Sequence, residues 1–303
     1  MRESIREYCS LGIVHSMAFP DSQKSADAYL STLKELLKDD YFEVIEIGAL
    51  PFAQLNTVVP PLIRSAHADL TYSGHSRLFS QKLNINSLDE IERERAVETL
   101  KEGIDEAYSW GALNFQFLSR EFEEQTKEKS LDALVRSTLE LCEYAKKKGE
   151  MKICLEIFDY DIDKRSLIGP AFLAAEYAAR VTARYDNFGL MVDCSHIPMI
   201  HETIDEAIDP VKDFIVHAHM GNTLISDPSD PSYGDNHPPF GYPESENDTA
   251  YLAQYLKKLL SVGYLDKEKR PVLSFEVKPQ HNQDPHIVIA NSKRTLRDAW
   301  RMV

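Results

Sequence analysis

The chain is poor in cysteine and has no long apolar segment. Its 303 residues include four cysteines without a C-x-x-C pair or a regular spacing, at Cys9, Cys142, Cys154 and Cys194. We therefore expect reduced, buried thiols and no disulfide framework. No run of about 18 apolar residues occurs, and the segment after Met1 is polar, so neither a membrane span nor a signal peptide is expected. These absences favour a cytoplasmic protein without a membrane partner.

Basic residues are scarce relative to acidic ones. There are 34 Lys and Arg against 49 Asp and Glu, which gives a formal net charge of −15. Because phosphate backbones repel such a surface, we expect no nucleic-acid partner. A glycine-rich fingerprint is also missing after the first predicted strand, so the sequence does not support a Rossmann-type dinucleotide site.

Short apolar runs alternate with helical patterns along the whole chain. The predicted strands cover residues 11–15, 42–47, 70–73, 113–118, 152–157, 189–193, 214–219 and 272–276. Eight such units predict an α/β fold, namely a (β/α)8 TIM barrel that forms a single domain over residues 1–303. A doubly wound open sheet is the alternative. Residues 222–247, rich in Gly, Pro, Asp and Ser, are too many for a simple connection, and we expect them to form a loop over the site.

Four predicted strands end in side chains that bind metal ions. These residues are Glu156, Asp193, His219 and Glu276. The carboxyl ends of the strands of an α/β barrel meet at one face, where the site lies. Three carboxylates and one imidazole suit Mn, Mg or Co and leave positions open for a substrate, whereas zinc sites more often include thiolates. We therefore predict a divalent metal at these residues, with Mn first and Mg, Co or Zn as alternatives.

This ligand set indicates a proton-transfer reaction. A metal that polarises a sugar carbonyl makes the neighbouring C–H more acidic. Glu156 and Glu276, on separate strands, would then remove that proton and return it from the other side. We predict an isomerase or epimerase of a sugar or sugar-like polyol. Two alternatives stay open: a lyase or dehydratase of the same fold that acts on a keto-inositol or a 3-oxo-glycoside, and a non-catalytic sugar-binding barrel.

The motifs at these strand ends resemble those of xylose-isomerase-like TIM barrels, in their sugar phosphate isomerase and epimerase branch. In chain order they are Leu155-Glu156, Asp193-x-x-His196, His217-x-His219 and Phe275-Glu276. The resemblance implies that His219 is the metal ligand of the H-x-H motif and that His196 contacts the substrate. We expect His217 to be turned away from the site. The resemblance also implies a homo-oligomer.

Two departures separate the chain from the ketose 3-epimerases of that branch. Ile225 stands six residues after His219, where those enzymes carry an arginine. Their Asn-Arg pair after the fifth strand is also absent, and the chain reads Phe158-Asp159-Tyr160-Asp161 there. We therefore expect a substrate other than a simple free ketohexose. The larger His, Asp and Glu set of the DNA-repair nuclease branch is not matched, and the acidic charge argues against that activity.

Further polar residues near strand ends are candidate substrate contacts. Besides His196 they are His15, Glu46, His75, His237 and Lys278. Each has a structural alternative: a hydrogen-bonded core or loop histidine, a turn around His237, a tie between neighbouring strands for Glu46, or a surface salt bridge for Lys278.

Overall fold

Eight parallel strands close into one barrel in the structure, a computed structural model that describes residues 3–303. The strands are β1 Ser10–Val14, β2 Val44–Gly48, β3 Asp69–Ser73, β4 Asn114–Leu118, β5 Lys152–Glu156, β6 Phe188–Asp193, β7 Ile215–Gly221 and β8 Val272–Glu276. Each strand pairs with the next along the chain, and β8 pairs with β1. The barrel predicted from the alternation of strands and helices is therefore confirmed.

The helices follow the strands and cover the barrel. They are α1 His15–Ala18, α2 Ala26–Lys38, α3 Val59–Ser65, α4 His75–Gln81, α5 Glu90–Trp110, α6 Lys127–Lys146, α7 Ala171–Thr182, α8 His196–Met199, α9 Ile204–Ile208, α10 Thr249–Ser261 and α11 Pro285–Met302. Within residues 3–303, no helix combines the length and the apolar character needed to cross a bilayer.

Helix α5 illustrates how local sequence produces these elements. Asp89 accepts a hydrogen bond from Ile91 N at the start of the helix (3.0 Å), and Gly111 ends it with a φ of 78°. Between them, apolar side chains recur every three or four residues and are buried, at Ala96, Val97, Leu100, Ile104 and Ala107. That stripe packs on the barrel wall and contributes about 25 cal/mol for each Å² of apolar surface removed from water.

The register of the strands places the predicted ligands side by side. Asp193 on β6 is opposite His219 on β7, and Gly221 on β7 is opposite Glu276 on β8. All of these residues lie at the carboxyl ends of their strands, as does Glu156. The face of the barrel that carries active sites in this architecture therefore holds all four.

The long loop at residues 222–247 is irregular and is hydrogen-bonded at both ends. Asn222 Oδ1 accepts from Asn247 N (2.8 Å), and Asn247 Nδ2 donates to the carbonyl oxygens of Cys194 (2.9 Å) and Gly221 (3.1 Å). The two asparagines thus fasten the loop to the ends of β6 and β7. The four cysteines, expected as reduced thiols, are free and buried.

Candidate metal centre

The four predicted ligands converge at the carboxyl end of the barrel. One donor atom from each of Glu156, Asp193, His219 and Glu276 lies within 4.8 Å of the donor atoms of the other three. His219 Nδ1 is 2.6 Å from Glu276 Oε2, 3.8 Å from Asp193 Oδ2 and 4.0 Å from Glu156 Oε1. Spacings of this size are those of donor atoms that could share a single cation.

Unpartnered oxygens indicate that this cluster suits a cation. Among the described residues, Glu156 Oε1 and Asp193 Oδ2 are buried and accept no hydrogen bond. A buried polar atom without a partner costs about 1–3 kcal/mol, so two such oxygens facing one centre call for a positive partner. A divalent cation would supply it, and the oxygen-rich donor set fits Mn, Mg, Co or Zn. The predicted ligand set therefore stands as a candidate metal centre.

Glu46 lies beneath the cluster and orients its histidine. Its carboxylate accepts from His217 Nε2 (2.8 Å), His219 Nε2 (3.2 Å) and Gln116 Nε2 (3.0 Å). Because Nε2 of His219 donates to Glu46, Nδ1 of the same ring is left to face the cluster. Asn114 Nδ2 lies 3.1 Å from the Nδ1 of His217. Glu46 was predicted as a substrate contact, but its side chain is 1% exposed and lies below the ligands.

His217 is not turned away as we expected. Residues two apart on a strand face the same side, so His217 and His219 both point into the barrel, with ring centroids 5.1 Å apart. His217 simply lies one layer deeper, where Glu46 binds it. Against the effect of burial, the two imidazoles hold the pKa of Glu46 well below its usual range.

The two glutamates of the cluster have opposite electrostatic surroundings. Burial, joined by the nearby Glu276 carboxylate, raises the pKa of Glu156 well above its usual range. Burial alone would also raise the pKa of Glu276, but His237 and His219 lower it to about 2. Two carboxyl groups with separated proton affinities at one centre are suited to acid and base roles.

The long loop contributes two side chains to the rim of the cluster. Asp235 Oδ1 lies 2.7 Å from His237 Nε2 and 3.0 Å from His196 Nε2, and Asp235 Oδ2 lies 2.8 Å from Lys164 Nζ. His237 Nδ1 is 4.0 Å from Asp193 Oδ2. The structure thus brings the predicted residues His196 and His237 to the site through Asp235, which the sequence did not single out.

Two further predicted contacts lie near the cluster. His75 Nε2 is 3.4 Å from Glu156 Oε2, its ring is 16% exposed, and burial lowers its pKa to about 4. Lys278 is half-buried, and its backbone N–H donates to the carbonyl oxygen of His237 (2.7 Å). Within residues 3–303 its ammonium group forms no ion pair or hydrogen bond. Substrate contacts for both residues stay predictions.

His15 is not brought to the cluster. The chain turns into α1 at this residue, and His15 Nε2 lies 2.9 Å from Thr32 Oγ1 on α2. Its ring meets the edge of Tyr29 at a centroid distance of 4.4 Å. Burial lowers the pKa of His15 to about 3, as expected for a neutral core histidine.

Comparisons with known structures agree on the fold. A "D-tagatose 3-epimerase-like protein" has a TM-score of 0.71 and 17% identity, with 96% of this chain and 98% of that chain covered. The "IOLI protein with a binding zinc atom" has a TM-score of 0.70 and 17% identity, with 96% and 97% covered. The "3-keto-D-glucoside 4-epimerase, YcjR, from E. coli" has a TM-score of 0.68 and 14% identity, with 95% and 99% covered.

Sequence comparisons place the chain in a family. No curated protein matches it. The model of one family does match, over residues 18–294, which is most of the chain. The chain therefore belongs to the xylose isomerase-like TIM barrel family.

Proposed function

We propose that the protein is a divalent-metal-dependent epimerase or isomerase that acts on a keto-sugar or a sugar-like polyol. The observation that carries the proposal is the cluster of four ligands, in which Glu156 Oε1 and Asp193 Oδ2 are buried without a partner among the described residues. Structural neighbours that are named as sugar epimerases lend support. Mn is the proposed metal, with Mg, Co or Zn as alternatives; one neighbour was described with zinc.

The chain's own carboxylates would move the proton. A metal held by the cluster would polarise the substrate carbonyl and make the adjacent C–H more acidic. Glu156 and Glu276 extend from β5 and β8, on separate parts of the barrel wall, with donor oxygens within 4.8 Å of each other. One would take the proton from one face of the substrate carbon, and the other would return a proton to the opposite face or to the neighbouring carbon.

Burial of the site favours this chemistry. Asp193, His196, His219 and His237 are each about 2% exposed. The side chain of Glu276 and the ring of His75 are more open, each at 16%. We therefore propose that the substrate enters on the side of His75 and Glu276. Exclusion of water by the loop would strengthen electrostatic contacts and protect the deprotonated substrate.

The test is exchange of a carbon-bound proton with solvent. The metal-loaded protein is incubated with a panel of keto-sugars and keto-polyols in D2O, and products are analysed by NMR and mass spectrometry. We expect an isomer that carries solvent deuterium at the carbon next to the carbonyl. Glu156→Gln and Glu276→Gln should each lower the rate at least about 100-fold, because each removes a proton-transfer group.

A matched control separates this effect from a general loss of a carboxylate. Glu202 is half-buried and also has an unpartnered oxygen among the described residues, but it lies outside the cluster and accepts from Ala171 N (3.0 Å). Glu202→Gln should keep the wild-type rate. An unsaturated product would favour the lyase alternative. Absence of exchange with every compound, in protein shown to hold metal, would favour the non-catalytic alternative and contradict the proposal.

A further inference from the structure

Asp235 connects three cationic or polar side chains at the rim of the metal centre. Its Oδ1 accepts from His196 Nε2 (3.0 Å) and His237 Nε2 (2.7 Å), and its Oδ2 binds Lys164 Nζ (2.8 Å). The side chain of Asp235 is only 10% exposed. One carboxylate of the long loop therefore fixes two imidazoles from different parts of the chain.

His196 has no ring nitrogen left for a substrate. Its Nδ1 lies 2.8 Å from the carbonyl oxygen of Ile157, and its Nε2 lies 3.0 Å from Asp235. A carbonyl and a carboxylate can only accept, so both nitrogens donate to the protein. The role of substrate contact, which the family resemblance implies for His196, is therefore blocked while Asp235 stays in place.

His237 presents the opposite situation. Its Nε2 is bound to Asp235, whereas its Nδ1 is buried without a partner in the described part of the chain and lies 4.0 Å from Asp193 Oδ2. His237 adopts a φ of 46°, a left-handed conformation that a non-glycine residue adopts only at a cost. The glycine at position 221 leaves room for this ring, because a Cβ there would lie 2.9 Å from His237 Nδ1.

A second loop holds the lysine that completes this arrangement. The carboxylate of Asp159, after β5, accepts from four backbone N–H groups, those of residues 162–165, at 2.7–3.2 Å. Lys164 extends from that turn and binds both Asp163 Oδ2 and Asp235 Oδ2 at 2.8 Å. Asp235 is thus fixed from outside the site, and the imidazoles are fixed by Asp235.

We propose that Asp235, anchored by Lys164, is a positioning residue that makes His237 the imidazole facing the substrate, with His196 held as a support. This inference rests on the proposed function. His237 Nδ1 would bind an oxygen of the sugar beside Asp193, on the side of the cluster covered by the loop. The chain thereby replaces the contact expected from its strand-six motif with one from its loop.

The first test needs no substrate. Histidine-ring ¹⁵N NMR of the Zn-loaded protein, with signals assigned through His196→Gln and His237→Gln, should show two ring N–H groups for His196. For His237 it should show one tautomer, with Nε2 protonated and Nδ1 bare. Lys164→Met should make the His237 signals exchange between states, and Lys164→Arg should restore them. Lys258→Met is the matched control, because Lys258 also binds two carboxylates, Asp205 and Asp209 at 2.7 Å.

Other results of this test would overturn the inference. One is a His237 ring unaffected by Lys164→Met, and another is a bare Nε2 on His196. A third is a second zinc equivalent that Asp235→Asn removes, because Asp235, His196 and His237 would then be metal ligands and Asp235 would not be a positioning residue.

The second test is kinetic and uses a sugar that wild type converts. Lys164→Met should lower kcat about 10- to 100-fold with a KM within about threefold of wild type, the size typical of residues that orient catalytic groups. Lys164→Arg should recover most of the rate, and His237→Gln should lower kcat/KM more than His196→Gln. The reverse order of the two histidine variants would contradict the inference. If wild type converts no sugar, the proposed function fails, and the NMR test still decides the position of His237.

Discussion

Replacing Glu46 by glutamine is the sharpest test of how the candidate metal centre is supported. Three donors converge on the Glu46 carboxylate, from Gln116, His217 and His219, at 2.8–3.2 Å. The single oxygen of an amide can accept two of them at most, and its NH2 group would face an imidazole N–H. At least one buried donor therefore loses its acceptor in Glu46→Gln.

The expected size of the effect follows from that count. One unsatisfied buried donor costs about 1–3 kcal/mol of the free energy of unfolding. Loss of the group that orients a metal-binding histidine typically weakens metal affinity about 10- to 100-fold, which is about 1.4–2.7 kcal/mol. We expect both effects in Glu46→Gln. The lower free energy of unfolding is measured by urea unfolding of the metal-free protein, and the weaker metal affinity is measured by competition with a chelator of known affinity.

A half-buried carboxylate outside the centre provides the control. Glu106 Oε2 accepts from Tyr72 Oη (2.5 Å) and from Arg77 Nη2 (2.7 Å), and its side chain is 19% exposed. Glu106→Gln should lower the free energy of unfolding and leave metal affinity unchanged. If Glu46→Gln bound metal as tightly as wild type, or if both variants weakened binding equally, Glu46 would not orient the metal-binding histidine.

Three further predictions concern the surroundings of the centre. His15 has a pKa of about 3 in the folded chain against about 6.5 in the unfolded chain. Above pH 6.5 the ring is neutral in both states; as the pH falls from 6.5 towards 3, only the unfolded chain binds the proton, and the free energy of unfolding decreases. Between pH 7 and pH 4.5 the free energy of unfolding, measured with urea, should therefore fall by about 2–3 kcal/mol less in His15→Gln than in wild type. Equal decreases in the two proteins would refute this. Gly221→Ala should weaken metal binding measured by chelator competition, because its Cβ would lie 2.8 Å from the carbonyl oxygen of Glu276; unchanged binding would show that the strand relaxes. Asp159→Asn should lower the free energy of unfolding by about 1–3 kcal/mol, since four N–H groups depend on its two oxygens, and a neutral change would mean that water replaces them.

The convergence of the four candidate metal ligands could be predicted because their positions follow from strand geometry. Parallel barrel strands end on one face, so Glu156, Asp193, His219 and Glu276 had to meet once each was assigned to a strand end. The same rule failed for His15. There the chain enters helix α1 at the residue itself, and the ring turns to Thr32 instead of the barrel mouth.

The role of Asp235 could not be predicted from local sequence. It lies in an irregular loop without periodicity, and its partners Lys164 and His196 are 71 and 39 residues away along the chain. Only the closed fold brings such distant loops together. The one local signal was that Asp235 and His237 lie two residues apart. Both side chains are of a kind that binds metal ions or transfers protons.

We propose that one divalent metal ion is bound by four residues, Glu156, Asp193, His219 and Glu276. The most direct test of this proposal is elemental analysis of wild type and Glu276→Gln, purified side by side and again after incubation with Mn²⁺ and removal of free metal. We expect about one equivalent of metal per chain in wild type and a marked loss in the variant, because one of the four ligands becomes a neutral amide. Wild-type protein without metal even after incubation would contradict the proposal, as would a Glu276→Gln variant that retains a full equivalent.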